Sequence, residues 1–134
     1  MDEGLRQNVR QRAGHRCEYC RMPESATPFV PFHAEHIIAQ QHMGTDEADN
    51  LALACDRCNA YKGTNLASVD PETGEVTRLF HPRNDLWNVH FVIEPDGKII
   101  GRTDVGRTTA RLLMMNAPAR VRLRCELSSD ELNG

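Results

Sequence analysis

The chain has 134 residues, of which 26% are charged and 5% aromatic, and its formal net charge is −3. This length predicts a single domain over residues 1–134, with a core small enough that an additional staple would help it fold. No apolar run approaches the roughly 18 residues that cross a membrane, and the first residues lack the apolar stretch of a secretory signal. We therefore expect a cytoplasmic protein with no membrane partner, in which cysteines stay reduced.

The net charge does not indicate a nucleic-acid binder, because such domains are usually basic. The positive charge is unevenly distributed, however, and apart from Lys62 and Lys98 it is carried by arginines. The planar fork of arginine suits phosphate groups, but arginine-rich surfaces are also common on ordinary soluble proteins, so both interpretations stay open. The arginines form three clusters: Arg6, Arg10, Arg12 and Arg16; Arg102, Arg107 and Arg111; and Arg120, Arg122 and Arg124.

The predicted elements mix helices and strands without a repeated strand–helix–strand rhythm, which indicates the α+β class. Polar residues surround Leu5 and Val9, which are four residues apart, so residues 3–13 are predicted to be helical. Strand formers fill residues 29–38 and 51–54, and a helix is predicted over about 56–64. Later in the chain we predict a hairpin of strands 87–94 and 98–102 around the turn Pro95-Asp96-Gly97, a helix over 103–116 and a last helix from about 119.

Two Cys-x-x-Cys pairs, Cys17–Cys20 and Cys55–Cys58, can each offer two thiolates to one tetrahedral ion. Structural zinc sites use four protein ligands and leave no open position, so we predict a structural Zn²⁺ with no catalytic role. Such an ion would close a long loop and couple its binding to folding. The alternative is two unrelated pairs of buried or redox thiols. Cys125 is left over and is expected to be a buried apolar filler.

A second set of polar residues lies around the second cysteine pair. Glu35 and His36 are adjacent in a predicted strand, so the backbone has to bend if both are to address one site. A carboxylate is a ligand suited to Mg²⁺ or Mn²⁺, and histidine can act as a general base near neutral pH. Asn59 lies about 100° around the helix from the preceding cysteine, where it can face the same cation. Asn50 can bond the loop backbone and orient His36, and Lys62 can meet a phosphate.

The order of these motifs resembles the HNH endonuclease family over Cys17 to Gly63. The matching runs are Cys-x-x-Cys, Glu-His-Ile, Asn-Leu-Ala-Leu-Ala-Cys and Cys-Asn-x-x-Lys-Gly. The tail, with LFHPRNDLWNVHF and DGKIIGRTDVGRTTARLLMMN, resembles a bacterial subgroup of that family. The resemblance implies a zinc-stapled ββα-metal core, similar to a treble clef, over about 15–65. A C-terminal hairpin and two helices over about 76–130 would buttress this core.

The resemblance also implies a function, the metal-dependent hydrolysis of DNA phosphodiester bonds. His36 would be the general base that activates water, Glu35 and Asn59 would bind one Mg²⁺ or Mn²⁺, and Asn50 would orient the loop. The cation would stabilise the charge that develops on the phosphoryl group and on the departing 3′ oxygen. Lys62 and the arginine clusters would contact phosphates, with weak sequence specificity, and the resemblance leaves the oligomeric state open.

The near-neutral charge and the variation at Asn59 favour an alternative from another class, a zinc-stapled nucleic-acid or protein binding module whose nuclease chemistry has lapsed. Glu35 stands where Asp is frequent, Asn59 stands where the family name expects His, and Met43 stands where Gly is common. Asn is a weaker ligand than His for most metals. The intact pair of Glu35 and His36, together with Asn50, favours the enzyme. His33 shares the strand face of Glu35, and it could either join the metal shell or only support it.

Overall fold

The computed structural model describes residues 1–127 and 131–132, and it confirms the α+β class: three separate antiparallel strand pairs accompany five helices in that part of the chain. The predicted buttress over about 76–130 extends into residues 128–130, which lie outside the described residues. In chain order the elements are α1 (Glu3–Arg12), β1 (His33–His36), β2 (Leu51–Ala54), α2 (Asp56–Lys62), β3 (Ala67–Val69), β4 (Val76–Arg78), α3 (Trp87–His90), β5 (Phe91–Ile93), β6 (Ile99–Gly101), α4 (Asp104–Leu112) and α5 (Pro118–Cys125).

Strands β1 and β2 and helix α2 form the unit that positions the site. β1 and β2 pair in antiparallel register, with Glu35 opposite Ala52 and His36 opposite Leu51. Every residue of β2 is buried, because β1 and α1 pack against it. α2 begins directly after β2, where the Sγ atom of Cys55 accepts the N–H of Cys58 at the helix start. One edge of β1 and one face of α2 therefore border a common groove.

For two of the strands, the predicted bounds are wrong. The strand predicted over 29–38 is confined to β1, because Pro31 lacks a backbone donor and Phe29 is exposed. The strand predicted over 87–94 begins with α3, a single helical turn that stacks Trp87 on Phe91 with ring centroids 5.1 Å apart. The Trp87 indole N–H donates to the carbonyl of Tyr19 at 2.8 Å. This long-range contact overrides the strand preference of the segment.

The predicted hairpin turn after β5 is confirmed. Its Gly97 has a φ of 90°, and a Cβ at this position would collide with the carbonyl oxygen of Val121 in α5. The turn therefore rests directly on the last helix. A second hairpin, β3–β4, follows α2. Buried Asp70, which follows β3, ties this hairpin to α4 through an ion pair of 2.7 Å with Arg107.

The first cysteine knuckle is packed against residues from the second half of the chain. Tyr19 meets the ring of Phe80 edge to face, with centroids 6.3 Å apart. The Glu18 carboxylate accepts the N–H of Leu53 at 2.7 Å and forms an ion pair with Arg83. Both side chains between Cys17 and Cys20 are thus held from outside the knuckle. Of the helices within 1–127 and 131–132, none is long and apolar enough to cross a bilayer.

Candidate metal centre and active site

The four cysteines of the two pairs converge at one buried point beside the start of α2. Their Sγ atoms all lie within 4.8 Å of one another. The Sγ atoms of Cys20 and Cys55 are 3.7 Å apart, and a tetrahedron of Zn–S bonds of about 2.3 Å has edges of about 3.8 Å. The donors and their spacing therefore fit a structural zinc ion. Cys125 is exposed and lies outside this cluster, so its prediction as a buried filler is wrong.

Burial changes the acid–base behaviour of the cluster. It raises the pKa of the Cys17 and Cys58 thiols, because a thiolate loses its hydration in the interior. Since zinc binds the thiolate form, its binding has to release these protons. Metal retention by the cluster therefore weakens as the pH falls.

Arg120, from α5, reaches into the cysteine cluster. One terminal nitrogen of its guanidinium, Nη2, lies 3.0 Å from the Sγ atom of Cys58 and 3.7 Å from that of Cys55. The other, Nη1, donates to the carbonyl oxygens of Leu113 and Met114 at 2.6 and 2.9 Å. The sequence placed this arginine among those that would contact phosphates, which its burial contradicts. No sequence signal distinguished it from Arg122, the exposed arginine of the same helix.

A groove with a volume of about 620 Å³ runs between β1, the loop that follows it and α2. Glu35, His36 and Asn59 all line it, so three of the four predicted catalytic residues are brought together, and His33 lies beside them. The Nε2 atom of His33 is 3.1 Å from a carboxylate oxygen of Asp56. Within the described residues, no group of three His, Cys, Asp or Glu donors other than the cysteine cluster converges closely enough to hold an ion.

His36 is held by Asp46, an acidic residue for which no role was predicted. Its Nε2 atom lies 2.7 Å from Oδ1 of Asp46, which also accepts a hydrogen bond from Gln40 at 3.1 Å. The hydrogen bond with His36 is the largest cause that lowers the pKa of Asp46. Asp46 is one of several acidic residues in this loop and belongs to no sequence motif. Only the fold therefore identifies its contact with His36. The contact fixes the orientation of the ring at the edge of the groove.

Glu35 lies under the groove in a buried network with Lys62 and Tyr19. Its Oε1 accepts from the Tyr19 hydroxyl, and its Oε2 lies 3.1 Å from the Lys62 ammonium. Lys62, which is 2% exposed, also donates to the carbonyls of His36 and Ile37. Its three donors are therefore used inside the protein, which corrects the expectation that Lys62 meets a phosphate. Burial raises the pKa of Glu35, and the charge of Lys62 opposes that shift.

Asn50 fastens the loop that carries Asp46. Its Nδ2 donates to the carbonyls of Ile38 and Thr45 at 2.9 and 2.8 Å, and its Oδ1 accepts the N–H of Ile38 at 2.9 Å. Met43 has a φ of 70°, in the left-handed region that favours glycine, but its side chain is exposed. A Cβ on Gly44 would collide with the carbonyl oxygen of Ile38. The described hydrogen bonds of Asn50 thus hold the loop backbone at Ile38 and Thr45, and none of them reaches the His36 ring.

Comparison with known proteins agrees with this geometry. Residues 17–65 match the family model described as HNH endonuclease. No significant match was found among curated proteins or among solved structures. The matched segment contains both cysteine pairs and every residue that lines the groove between β1 and α2. Residues 17–65 of this chain are therefore similar to the HNH endonuclease family.

Proposed function

We propose that the protein is a metal-dependent endonuclease that hydrolyses phosphodiester bonds in DNA, with His36 as the general base. The observation that carries the proposal is the placement of His36, whose Nε2 is held by Asp46 at the edge of an open groove. A general base needs one ring nitrogen fixed by a partner and the other free to take a proton. Among the described residues no partner is found for Nδ1, which would take the proton from water.

Glu35 and Asn59 would hold one divalent cation in this groove, Mg²⁺ or Mn²⁺. When bound, this cation would supply a positive charge beside the negative charge that develops on the phosphoryl oxygens. Mg²⁺ keeps several waters and needs one or two carboxylates from the protein, which fits a groove with one carboxylate and one amide. The Lys62 ammonium already neutralises Glu35, and therefore weakens the attraction of this carboxylate for a cation.

Cleavage of supercoiled plasmid DNA tests the proposal. With Mg²⁺ or Mn²⁺ the protein should nick the plasmid, EDTA should abolish the nicking, and His36→Ala should cut at least about 100-fold more slowly, because it lacks the base. The matched control is His42→Ala, since His42 is an exposed histidine of the following loop. Zinc content is measured in all three proteins. Equal nicking by the wild type and His36→Ala would exclude His36 as the base.

A binding module without nuclease activity is the second candidate, and the pairing of Glu35 with Lys62 is the observation that favours it. Because of this ion pair, the described residues that line the groove offer no free carboxylate to a cation. The plasmid assay separates the two candidates when DNA binding is measured alongside it. Binding without metal-dependent nicking, by protein that retains zinc, would identify the module.

The structure reduces the number of arginines that can contact the nucleic acid. Arg6 and Arg10, one turn apart on α1, line a cavity of about 330 Å³ that shares His33 and Ala34 with the groove. A strand leaving the groove over His33 would therefore reach these two arginines. Arg10 also forms an ion pair with Glu24 at 3.8 Å. Four other members of the clusters are engaged elsewhere: Arg12 with the carbonyls of Ala48 and Leu51, Arg16 with that of Glu131, Arg102 with that of Asn88, and Arg107 with Asp70.

Replacing both Arg6 and Arg10 with Ala should weaken DNA binding through lost phosphate contacts. The slope of the logarithm of the binding constant against the logarithm of salt concentration should become shallower by about 0.7–0.9 per arginine removed. The control is the double replacement Arg111→Ala/Arg122→Ala, which removes the same charge from exposed positions away from the groove. Binding is measured by fluorescence anisotropy in EDTA, so that cleavage plays no part. Equal slopes for the two double variants would exclude the α1 arginines.

A further inference from the structure

Arg120 stands out among the arginines because its guanidinium is buried against sulfur. It lies 62 residues from Cys58 in sequence and outside the segment that matches the family, yet its Nη2 is 3.0 Å from that Sγ atom. No hydrogen bond to a carboxylate is found for it among residues 1–127 and 131–132. The partners of its charge in the described structure are the thiols of Cys55 and Cys58.

Charge explains why an arginine belongs here. Four thiolates around one Zn²⁺ carry a net charge of −2, and the cysteines that would supply them are buried. A buried net charge is costly unless a group of the opposite sign lies close to it. Arginine suits this role because its guanidinium keeps its positive charge and is less strongly hydrated than an ammonium.

The position of Arg120 is fixed from both sides. Its Nη1 donates to the carbonyls of Leu113 and Met114, which directly follow α4, while Nη2 points at the cluster. Its backbone is carried by α5, in which Arg124 is also buried and donates to the carbonyl of Gly97 at 2.7 Å. The guanidinium is therefore already oriented and loses little entropy when it contacts thiolates.

We propose that Arg120 is a positioning residue of the metal centre, one that donates an N–H···S hydrogen bond to the Cys58 thiolate and slows the loss of zinc. The hydrogen bond draws electron density from the sulfur, and the charge lowers the net charge of the centre from −2 to −1. Outer partners of this kind change metal affinity by about 10–100-fold in other sites. The inference rests on the assignment of zinc to the cysteine cluster and is independent of nuclease activity.

Zinc release and cobalt absorption test this assignment in the full chain. Zinc release to a chromogenic chelator should be at least about 10-fold faster in Arg120→Met than in the wild type. In protein loaded with Co²⁺ instead of zinc, the sulfur-to-cobalt charge-transfer band should move to lower energy in this variant, because the thiolate loses a hydrogen bond. Arg122→Met is the matched control, since Arg122 is exposed on the same helix, and it should behave as the wild type.

Arg120→Lys keeps the assignment testable if Arg120→Met does not fold. Lysine preserves the charge but cannot donate to the thiolate and to both carbonyls in the same planar fork, so its release rate should lie between those of the wild type and Arg120→Met. Folding of each variant is checked by circular dichroism. In a folded Arg120→Met protein, an unshifted cobalt band together with zinc release within about twofold of the wild type would overturn the proposal. In a folded Arg120→Lys protein, an unshifted cobalt band together with zinc release equal to that of the wild type would overturn it.

Discussion

A Cys58→Ser variant is expected to lose its zinc and its folded state together. The free energy of structural zinc binding is about 10–16 kcal/mol in small zinc domains, whereas whole domains are stable by about 5–15 kcal/mol. The cluster joins the first knuckle to the start of α2, and the core around it includes the buried residues of β2. Loss of one ligand therefore removes enough free energy to unfold the protein. Metal content is measured by mass spectrometry under native conditions, and folding by circular dichroism.

Cys125→Ser is the control for this experiment, because Cys125 is exposed and lies outside the metal cluster. It should bind one zinc ion and melt within a few degrees of the wild type. Removing zinc from the wild type with a strong chelator should reproduce the behaviour of Cys58→Ser. A Cys58→Ser protein that is zinc-free and cooperatively folded at the wild-type melting temperature would refute the structural role of the cluster.

Lys62→Met should destabilise the protein by about 3–5 kcal/mol, because it leaves the Glu35 carboxylate buried without its positive partner. The Nζ atom of Lys62 lies 3.1 Å from Oε2 of Glu35, and both side chains are almost fully buried. Adding Glu35→Gln to this variant should recover part of the loss, since the uncompensated charge is then gone. Urea denaturation of the wild type, both single variants and the double variant gives the coupling energy of the pair. Lys98→Met, which changes the other lysine at an exposed position, should change stability by less than about 0.5 kcal/mol.

The pH dependence of Lys62→Met follows from the raised pKa of Glu35, for which burial is the largest cause. A raised pKa means that the folded state binds this proton more tightly than the unfolded state. The stability that the proton contributes is fully present below the unfolded pKa and is lost as the pH rises through the folded pKa. Without Lys62 the pKa of Glu35 in the folded state rises further. The loss in free energy of unfolding relative to the wild type should therefore be larger at pH 8 than at pH 5. A deficit that is constant over this range would contradict an uncompensated carboxylate.

The sequence correctly predicted those helices and strands whose residue pattern and end signals lie within a few residues of each other. Helix α1 follows from the spacing of Leu5 and Val9, and the β5–β6 hairpin follows from its turn residues. The α3 turn could not be predicted in this way, because the segment is rich in strand formers and its conformation depends on the contact of Trp87 with Tyr19. Distant packing therefore decided the parts of the fold that the local pattern left ambiguous.

For the candidate site, too, some features could be predicted from the sequence and others could not. Ligand spacing alone predicted the cysteine cluster, because both pairs have to converge if one ion is to use them. The partners of charged side chains were not predictable, since they are set by packing between segments far apart in sequence. Lys62 and Arg120 were both expected at a phosphate, but Lys62 pairs with Glu35 and Arg120 contacts Cys58. No role was predicted for Asp46, which contacts His36.

The ion pair between Glu18 and Arg83 limits where this domain can be cut from its chain. The family match ends at residue 65, so a graft of residues 17–65 onto another scaffold would leave out Arg83 and Trp87. The Glu18 carboxylate and the Tyr19 carbonyl would then have to find water or new donors, and each buried group left unsatisfied costs about 1–3 kcal/mol. A transplantable module of this protein therefore has to extend at least through α3, well beyond the borders of its recognisable motif.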